Sequence, residues 1–338
     1  MTIDHLLMNI DQKRNLRIVF MGTPDFAVPS LDILIQHNYN VVGVVTATDK
    51  LAGRGNKLTE SAIKKYAVEK GLRILQPEKL KKQDFIQELK SLEANLFIVV
   101  AFRMLPEIVW QMPEFGTFNL HASLLPQYRG AAPINWAVMN GEKETGATTF
   151  FLQHEIDTGN IILQEKIKID DEDNVGIVHD KLMNMGSTLV LKTVQAIEDN
   201  SVNARPQSTV DSQPLTIHHA PKIFKETCLI DWNKPIIEIQ NLIRGLSPYP
   251  TAFTYLDGKV LKIFAAQMSL QSTIHSPNTF KETVDRGLST VDLKTDHKTY
   301  LSFKCADGYL DILELQLEGK KRMKVDEFLR GYKFTTTT

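Results

Sequence analysis

The chain has 338 residues, of which 43% are hydrophobic and 23% charged, a balance typical of a soluble globular protein with one large or two ordinary domains. Its net charge is −1, so the overall charge does not favour a nucleic-acid partner, and a polyanion would have to bind local basic patches. The two cysteines are isolated in the sequence, which argues against a disulfide framework or a structural zinc site and fits a reducing cytoplasm.

Neither a membrane span nor a cleavable signal is predicted. No apolar run approaches the roughly 20 residues that cross a bilayer, and no stretch has the pattern of a signal peptide. Residues 1–16 contain few basic residues, unlike a transit peptide, and are interpreted as an N-terminal extension.

The first half of the chain alternates short apolar runs with segments of helical spacing. Strands are predicted at 17–21, 41–45 and 96–101, and a helix at 59–70 that ends at Gly71. This alternation predicts an α/β fold with a mostly parallel sheet covered on both faces. Ligands are then expected at the carboxyl ends of the strands.

A Gly-Thr-Pro-Asp-Phe sequence at residues 22–26 follows the first predicted strand. It invites a nucleotide-binding interpretation, but it lacks the Gly-x-Gly-x-x-Gly spacing that lets a backbone approach a pyrophosphate. NAD is therefore not expected. Two interpretations remain, a tight turn that opens a helix and a substrate-facing loop.

Residues 48–58 are predicted to form a loop longer than the two to six residues usual for such connections. The loop contains Lys50, Arg54 and Lys57 against a single acidic residue, and the glycines on either side of Arg54 leave it on an exposed tip. This composition suits contacts with phosphates and bases. A solvated charged loop is the alternative.

An amide and an imidazole lie two residues apart near the middle of the chain. An extended backbone points Asn119 and His121 to the same face, and the turn at 126–130 ends the strand close to them. A carboxamide donates hydrogen bonds without titrating, and an imidazole can donate to a developing oxyanion or move a proton. The pair suits acyl-type transfer, although an isolated Asn-x-His on a strand usually has no catalytic role.

A further strand is predicted at 148–153, and Asp157 follows it in an Asp-Thr-Gly turn. Taken alone, Asp157 is better explained as a turn-capping carboxylate. Helical spacing over 175–197 ends the first domain, and the polar residues 200–213 are typical of a linker.

The last third of the chain predicts a small β-barrel after a helix that begins near Ile236. Short strands separated by turns or loops are predicted at 251–256, 260–265, 290–293, 300–303 and 309–315. A basic cluster with Lys320, Lys321 and Arg322 follows. Such clusters are usually solvated surface, and phosphate contact is the alternative.

Residues 124–136, Leu-Leu-Pro-Gln-Tyr-Arg-Gly-Ala-Ala-Pro-Ile-Asn-Trp, resemble the signature of the folate-dependent formyltransferases nearly residue for residue. The likeness runs along nearly the whole chain from Arg17. It implies an α/β, Rossmann-like formyltransferase domain with a mostly parallel sheet, followed by a smaller OB-like β-barrel that binds tRNA. The implied boundaries are an extension at 1–16, the catalytic domain at 17–199, a linker at 200–225 and the barrel at 226–334.

The resemblance also implies the chemistry. Asn119, His121 and Asp157 occupy the family's three catalytic positions, and the co-substrate is 10-formyltetrahydrofolate, with no metal. Asn119 and protonated His121 would donate to the formyl oxygen, and Asp157 would pair with His121 and help to transfer the proton. The expected folate contacts are Phe102, Arg103, Met104, Leu105, Ser123, Leu124, Leu125 and Pro126. Arg103 departs from the family pattern, which has glycine at that position.

The acceptor that the resemblance implies is initiator methionyl-tRNA. In the family the Gly-Arg-Gly loop enters the acceptor arm, which makes Arg54 the main expected contact, with Lys50 and Lys57 beside it. The basic cluster Lys320, Lys321 and Arg322 would contact phosphates from the barrel. A cytoplasmic monomer without a membrane partner is expected.

Two other functions compete. The first is a formyltransferase or hydrolase with the same three residues and a small acceptor, such as a sugar nucleotide, glycinamide ribonucleotide or water. The Gly-Arg-Gly loop and the basic C-terminal unit disfavour it, because they have no obvious purpose with a small acceptor. The second is a non-catalytic RNA-binding module, which the complete set of three catalytic positions disfavours.

Overall fold

The protein is described from a computed structural model, and the structure describes residues 13–52, 57–209, 216–269, 279–282 and 291–334. The chain divides into two compact units, neither of which is continuous in sequence. The first unit reaches Gly130 and includes Gly146–Ile167 and His179–His219. The second consists of Ala131–Thr145, Lys168–Val178 and the described residues from Ala220 onward.

Strands and helices alternate through the first two thirds of the chain. The strands are β1 Arg17–Gly22, β2 Asn40–Val45, β3 Lys50–Ala52, β4 Lys57–Thr59, β5 Ile74–Leu75, β6 Leu96–Val100, β7 Thr117–His121, β8 Arg129–Gly130, β9 Glu144–Phe151, β10 Ile161–Lys168 and β11 His219–Ala220. The helices are α1 Val28–Gln36, α2 Ala62–Glu69, α3 Gln83–Ser91, α4 Glu107–Trp110, α5 Pro133–Met139 and α6 Val175–Glu198.

Seven strands form the main sheet, in the order β10-β9-β7-β6-β1-β2-β5. The strands β5, β2, β1, β6 and β7 pair in parallel, and β9 pairs with β7 in the antiparallel direction. The predicted mostly parallel sheet is confirmed. Because β1, β6 and β7 run in the same direction, their carboxyl ends meet at one edge of the sheet.

Helices cover both faces of this sheet. On one face, Val19 and Met21 of β1 pack in a buried cluster with Phe85 of α3 and Val109 of α4. On the other face, α6 lies so close to β7 that a Cβ added at Gly186 would come within 2.9 Å of the Leu120 side chain. Burial on both faces explains why these strands are continuous apolar runs rather than alternating ones.

The Gly-Thr-Pro-Asp sequence after β1 is a tight turn into a helix. Residues Asp25–Ala27 form a short 3-10 turn that leads directly into α1. A Cβ added at Gly22 would lie 2.8 Å from the Cβ of Ala27 and 3.2 Å from the carbonyl oxygen of Val100. Glycine is therefore required here by close packing.

The loop predicted at 48–58 differs from the observed structure, because this segment contains β3 and the start of β4, which pair in the antiparallel direction. Residues 53–56, which include Arg54, lie outside the described residues. The hairpin is attached to α2, since Lys64 forms ion pairs with Asp49 before β3 and with Glu60 after β4. The hydrogen bond between Lys64 and Asp49 raises the pKa of Lys64 and lowers that of Asp49.

The second unit is built around an antiparallel half-barrel sheet. Its strands are β12 Ala252–Leu256, β13 Lys259–Met268, β14 Thr279–Glu282, β15 Val291–Thr295, β16 Leu301–Cys305, β17 Gly308–Leu317 and β18 Met323–Lys324, and its later helices are α7 Ile236–Leu246 and α8 Val325–Gly331. The order is β12-β13-β17-β16-β15-β14, with β18 paired to β17. The five predicted strands are confirmed within a few residues, whereas β14 and β18 were not predicted because they are short and polar.

The core of the second unit contains a stacked aromatic pair. The rings of Trp232 and Phe303 lie 4.4 Å apart at an angle of 11°. The indole nitrogen of Trp232 donates a hydrogen bond of 3.0 Å to the hydroxyl of Thr254, and both residues are buried. This bond satisfies the one polar group of a ring that is otherwise enclosed by apolar side chains.

None of the helices in the described part of the chain combines the length and the hydropathy that a membrane span requires.

Replacing Thr254 with valine is expected to destabilise the second unit by about 1–3 kcal/mol, because the buried indole N–H loses its acceptor while the side-chain volume is kept. Urea unfolding followed by tryptophan fluorescence measures the change. Thr254→Ser keeps the hydroxyl and is the matched control. Equal stability of the valine and serine variants would contradict the assigned role of the bond.

The buried thiol of Cys305 predicts a pH dependence of stability. Burial raises the pKa of Cys305 to about 12, with a further contribution from Asp307. The thiol therefore stays protonated in the folded protein at a pH at which it ionises in the unfolded chain. Ionisation favours the unfolded chain, so the free energy of unfolding falls as the pH rises above about 8.5. Between about pH 9 and 10 the free energy of unfolding should fall more steeply in the wild type than in Cys305→Ala, by about 1 kcal/mol per pH unit. Identical slopes would contradict the assignment.

Candidate active site

Asn119 and His121 lie at the carboxyl end of β7 on the same face of the sheet. Asn119 is paired with Val99 of β6 and Phe150 of β9, and His121 is paired with Thr148. Side chains of a strand alternate between faces, so both residues project opposite to Leu120, which faces α6. The strand and the shared face are those that the two-residue spacing predicts.

His121 is buried, and one of its ring nitrogens is held by the backbone. Its Nε2 lies 2.9 Å from the carbonyl oxygen of Tyr128. A carbonyl can only accept, so Nε2 carries a proton and donates to it. The other ring nitrogen, Nδ1, faces Oδ2 of Asp157 at 4.0 Å, with both side chains largely buried. That distance is within range for an ion pair with a protonated ring and too long for a direct hydrogen bond.

Asp157 lies in the connection between β9 and β10 with an unusual backbone conformation. Its φ is +56°, in the left-handed region that aspartate tolerates better than most residues. Its Oδ2 accepts a hydrogen bond of 3.1 Å from the backbone N–H of Gly130. Two residues later, a Cβ added at Gly159 would lie 1.6 Å from the carbonyl oxygen of Phe151, so only glycine fits. The structure thus places the Asp157 carboxylate 4.0 Å from the His121 ring, the pairing that the family resemblance implies.

The carboxamide of Asn119 is half-buried and, within the described part of the chain, has no hydrogen-bond partner. An amide has two N–H donors and an acceptor oxygen. The Asn119 group can therefore direct donors to a ligand at the strand end. In the same described residues, no group of three or more histidine, cysteine, aspartate and glutamate side chains could hold a metal ion.

Three consecutive residues after the strand organise these groups. The carbonyl of Tyr128 accepts from His121, and the N–H of Gly130 donates to Asp157. Between them, Arg129 donates two hydrogen bonds to Oε1 of Gln207, at 3.1 Å from Nε and 2.5 Å from Nη2. The triplet Tyr128-Arg129-Gly130 therefore contacts both titratable site residues and a third, unpredicted one.

Gln207 was not predicted as a site residue, because it lies in the polar stretch interpreted as a linker. It is buried, and its Nε2 donates to the carbonyl oxygens of Asp157 at 2.8 Å and Gly159 at 3.0 Å. A single sequence contains no signal for this contact. Arg129 could have been predicted as a site residue, since it is part of the formyltransferase signature, but its role depends on the position of Gln207.

The turn that follows β7 is fixed by buried hydrogen bonds. Thr148 donates to the carbonyl of Ser123 and accepts from the N–H of Leu125, and the Ser123 hydroxyl donates to the carbonyl of Gln127 at 2.6 Å. The side chains of Ser123 and Leu125 are buried, whereas those of Leu124 and Pro126 are half-buried. Among these expected folate contacts, Leu124 and Pro126 have the accessible side chains.

The segment after β6 lies at the same edge of the sheet as the turn after β7. Met104 is 76% exposed, Phe102 is half-buried and Leu105 is buried. The Arg103 guanidinium donates to the backbone carbonyls of Pro77 and, at 2.9 Å, Glu78. Arg103 therefore ties this segment to the neighbouring loop with its charged end.

The residues expected to contact tRNA differ in their exposure and in whether their charge is already paired. Lys50 is exposed at the start of β3, and Lys57 lies in β4 opposite Ala52, while Arg54 is outside the described residues. In the second unit, Lys320 and Lys321 are exposed. Arg322 is engaged within its own unit, because its guanidinium forms two hydrogen bonds to Glu314, at 2.7 and 2.6 Å, and lies 4.2 Å above the ring of Phe264. The pair with Glu314 raises the pKa of Arg322.

Solved structures share this fold. A sugar 3N-formyl transferase, WlaRD, solved in the presence of dTDP and 5-N-formyl-THF, matches with a TM-score of 0.61 at 20% identity, over 91% of this chain and all of that one. HypX from Aquifex aeolicus, solved with tetrahydrofolic acid, matches with a TM-score of 0.59 at 17% identity, over 96% of this chain and 49% of that one. At these identities the likeness concerns the fold alone.

Sequence relatives are much closer. The methionyl-tRNA formyltransferase of Phocaeicola vulgatus is 58% identical, over 95% of this chain and 97% of that protein. That of Bacteroides fragilis is 54% identical, over 96% and 97%. That of Flavobacterium johnsoniae is 50% identical, over 95% and 97%.

Two family models match consecutive parts of the sequence. The formyl transferase model matches residues 16–194, and the model of the formyl transferase C-terminal domain matches residues 222–333. The first of these contains Asn119, His121 and Asp157. The chain belongs to the formyl transferase family.

Proposed function

We propose that this protein transfers the formyl group of 10-formyltetrahydrofolate to the α-amino group of methionine esterified to initiator tRNA, and so makes formylmethionyl-tRNA for translation initiation. The observation that carries the proposal is the 50–58% identity to methionyl-tRNA formyltransferases over about 95% of the chain, which includes both units. An acceptor-specific function is shared most securely when the similarity covers the whole chain rather than the catalytic unit alone.

The folate supplies a formyl group bonded to its N10 nitrogen, and transfer to an amine replaces one N–C bond with another. Negative charge develops on the formyl oxygen as the new bond forms. The amide N–H groups of Asn119, which have no partner among the described residues, are suited to stabilise that charge, since they need no proton transfer and are set on a rigid strand. A protonated His121 supplies a second donor beside them.

Proton movement accompanies the exchange, because the attacking amine must lose a proton and N10 must gain one. Asp157 faces Nδ1 of His121 at 4.0 Å, and the N–H of Gly130 fixes one of its oxygens. A carboxylate in this position can accept a proton from the amine. The bond from Nε2 to Tyr128 leaves Nδ1 as the nitrogen that takes part.

The folate site lies in our proposal between the segment after β6 and the turn after β7. A flat pterin ring requires apolar walls and a few backbone hydrogen bonds. Phe102, Met104, Leu124 and Pro126 offer accessible side chains for those walls. The buried side chains of Leu105, Ser123 and Leu125 instead hold the backbone in place. Arg103, whose guanidinium binds the carbonyls of Pro77 and Glu78, acts mainly as a tie between loops.

The tRNA contacts are proposed on two surfaces. Lys50 and Lys57 belong to the strands of the hairpin that Lys64 attaches to α2. Together with Arg54, which lies between them in the sequence, they would contact the acceptor arm. Lys320 and Lys321 would neutralise phosphates. Arg322 is a weaker candidate than these lysines because its charge is already paired with Glu314. The protein would work in the cytoplasm, where initiator tRNA is charged, as a monomer.

The decisive experiment is an assay for formylmethionyl-tRNA with 10-formyltetrahydrofolate and charged initiator tRNA. Parallel reactions contain an amino-sugar nucleotide, glycinamide ribonucleotide or water as the alternative acceptor. Product with the tRNA alone supports the proposal. Turnover of a small acceptor without formylation of the tRNA would refute the proposed acceptor, and no turnover of any acceptor would favour a non-catalytic role.

Asn119→Ala and His121→Ala are each expected to lower kcat by about 10²–10³, because each removes one donor to the developing charge. Affinity for methionyl-tRNA should change little. Quench-flow measurements with saturating substrates and filter binding of the tRNA separate the two quantities. His37→Ala is the matched control, since His37 also bonds a backbone carbonyl, Ile33, but lies exposed at the end of α1. Unchanged kcat in either site variant would remove that residue from the mechanism.

Binding of initiator tRNA should weaken steeply with salt, and Lys320→Gln with Lys321→Gln should flatten the dependence. Each lost phosphate contact is expected to reduce the slope of log K against log salt by about 0.7–0.9. Filter binding at several salt concentrations measures the slope. Lys90→Gln, an exposed lysine of α3, is the control and should leave it unchanged. A slope in the double variant equal to that of the wild type would exclude both lysines from phosphate contact.

A further inference from the structure

The loop that contains Asp157 has few bonds of its own, one of which is the hydrogen bond of 3.1 Å from the Thr158 hydroxyl to the carbonyl of Glu155. Ile156 is 65% exposed, and the neighbouring His154, whose side chain is 78% exposed, pairs with Glu107 at 3.0 Å. An exposed ion pair of this kind contributes little to order. Asp157 itself has a φ of +56°, a conformation that the surrounding structure must hold. The position of the carboxylate therefore depends on contacts made by residues outside the loop.

Gln207 supplies those contacts with every hydrogen-bonding position of its amide. Its Oε1 accepts twice from Arg129, and its Nε2 donates to the carbonyls of Asp157 and Gly159. The orientation of the amide is unambiguous, because a guanidinium can only donate and a carbonyl can only accept. Only 6% of Gln207 is exposed, so water does not readily replace these partners.

These bonds close a ring around Asp157. Gly130 holds the carboxylate, the adjacent Arg129 holds Gln207, and Gln207 holds the backbone of Asp157. The side chain and the backbone of Asp157 are thus both attached to one dipeptide. The residue before that dipeptide, Tyr128, accepts the hydrogen bond from His121. The ring therefore sets the position of Asp157 relative to the His121 ring.

We propose that Gln207, oriented by Arg129, is a positioning residue that holds Asp157 in register with His121 during formyl transfer. This inference rests on the proposed function and extends it to a residue in the stretch between the two family-model matches. Neither Gln207 nor Arg129 needs to touch a substrate in this role. Their effect on the reaction passes through Asp157 alone.

A double-mutant cycle tests that route. Gln207→Ala is expected to lower kcat about 10- to 100-fold in the wild-type background, since a misplaced catalytic group commonly costs up to about 10² in rate. In an Asp157→Ala background the same change should cost less than about 2-fold, because the group that it positions is already gone. KM for the folate and for the tRNA should stay near the wild-type values. Single-turnover reactions with excess enzyme keep the slow variants measurable.

Gln207→Glu provides a second variant of the same size, in case the alanine variant folds poorly. The change keeps an acceptor for Arg129 but turns an oxygen towards the carbonyls of Asp157 and Gly159, so it should lower kcat at least as much as Gln207→Ala. Asn95→Ala is the matched control. The Asn95 amide also bonds two backbone groups, the N–H of Arg17 and the carbonyl of Asn15, but it lies before β6 at the opposite end from the site. It should leave kcat unchanged in both backgrounds.

The outcomes separate the inference from the function on which it rests. A wild-type protein that does not formylate methionyl-tRNA would overturn the proposed function. A different result would overturn the inference alone. In that case the wild type is active and Asp157→Ala is slow, but Gln207→Ala lowers kcat equally in both backgrounds, which assigns Gln207 a general structural role. Unchanged kcat in Gln207→Ala and Gln207→Glu would overturn it as well. Loss confined to the background that retains Asp157 supports it.

Discussion

The candidate site depends on the hydrogen bonds of one backbone triplet. Tyr128, Arg129 and Gly130 are consecutive, and they bind His121, Gln207 and Asp157 respectively. Backbone groups make two of these three contacts, so the positions of the imidazole and the carboxylate follow from the path of the main chain rather than from flexible side chains. A turn whose backbone is itself held by buried hydrogen bonds gives the two groups fixed relative positions, as a reaction between two bound substrates requires.

The parallel sheet provides the rigid part of the site. Helices cover both of its faces, and β6 and β7 are buried along almost their whole length. Their carboxyl ends meet at one edge, where the polar groups of the candidate site can reach a ligand while the rest of each strand is enclosed. The site thus combines one donor on a strand, Asn119, with an acid on a loop, Asp157. Packing of the strand holds Asn119 in place, and the ring of hydrogen bonds holds Asp157 in place.

The charged residues of the two units illustrate why composition is a poor guide to a polyanion site. The chain is close to neutral overall, and its basic residues differ in whether their charge is available. Arg322 lies against Glu314 and Phe264, so part of its charge is already neutralised, whereas Lys320 and Lys321 are exposed beside it. Likewise Lys64 is used to attach the hairpin to α2. A phosphate binds to a basic group that is exposed and whose charge is not already paired within the protein.

Local patterns by themselves determined much of this protein. Apolar runs and helical spacing located β1, β6, β7, α6 and most strands of the half-barrel, and the two-residue spacing placed Asn119 and His121 on one face, because strand and helix periodicity are properties of neighbouring residues. The tertiary structure decided the rest. The assignment of α5 to the second unit and the contact of Gln207 with Asp157 both depend on residues far apart in the chain. Gln207 lies 50 residues from Asp157, in a polar stretch with no periodicity, so only the folded chain shows that the two meet.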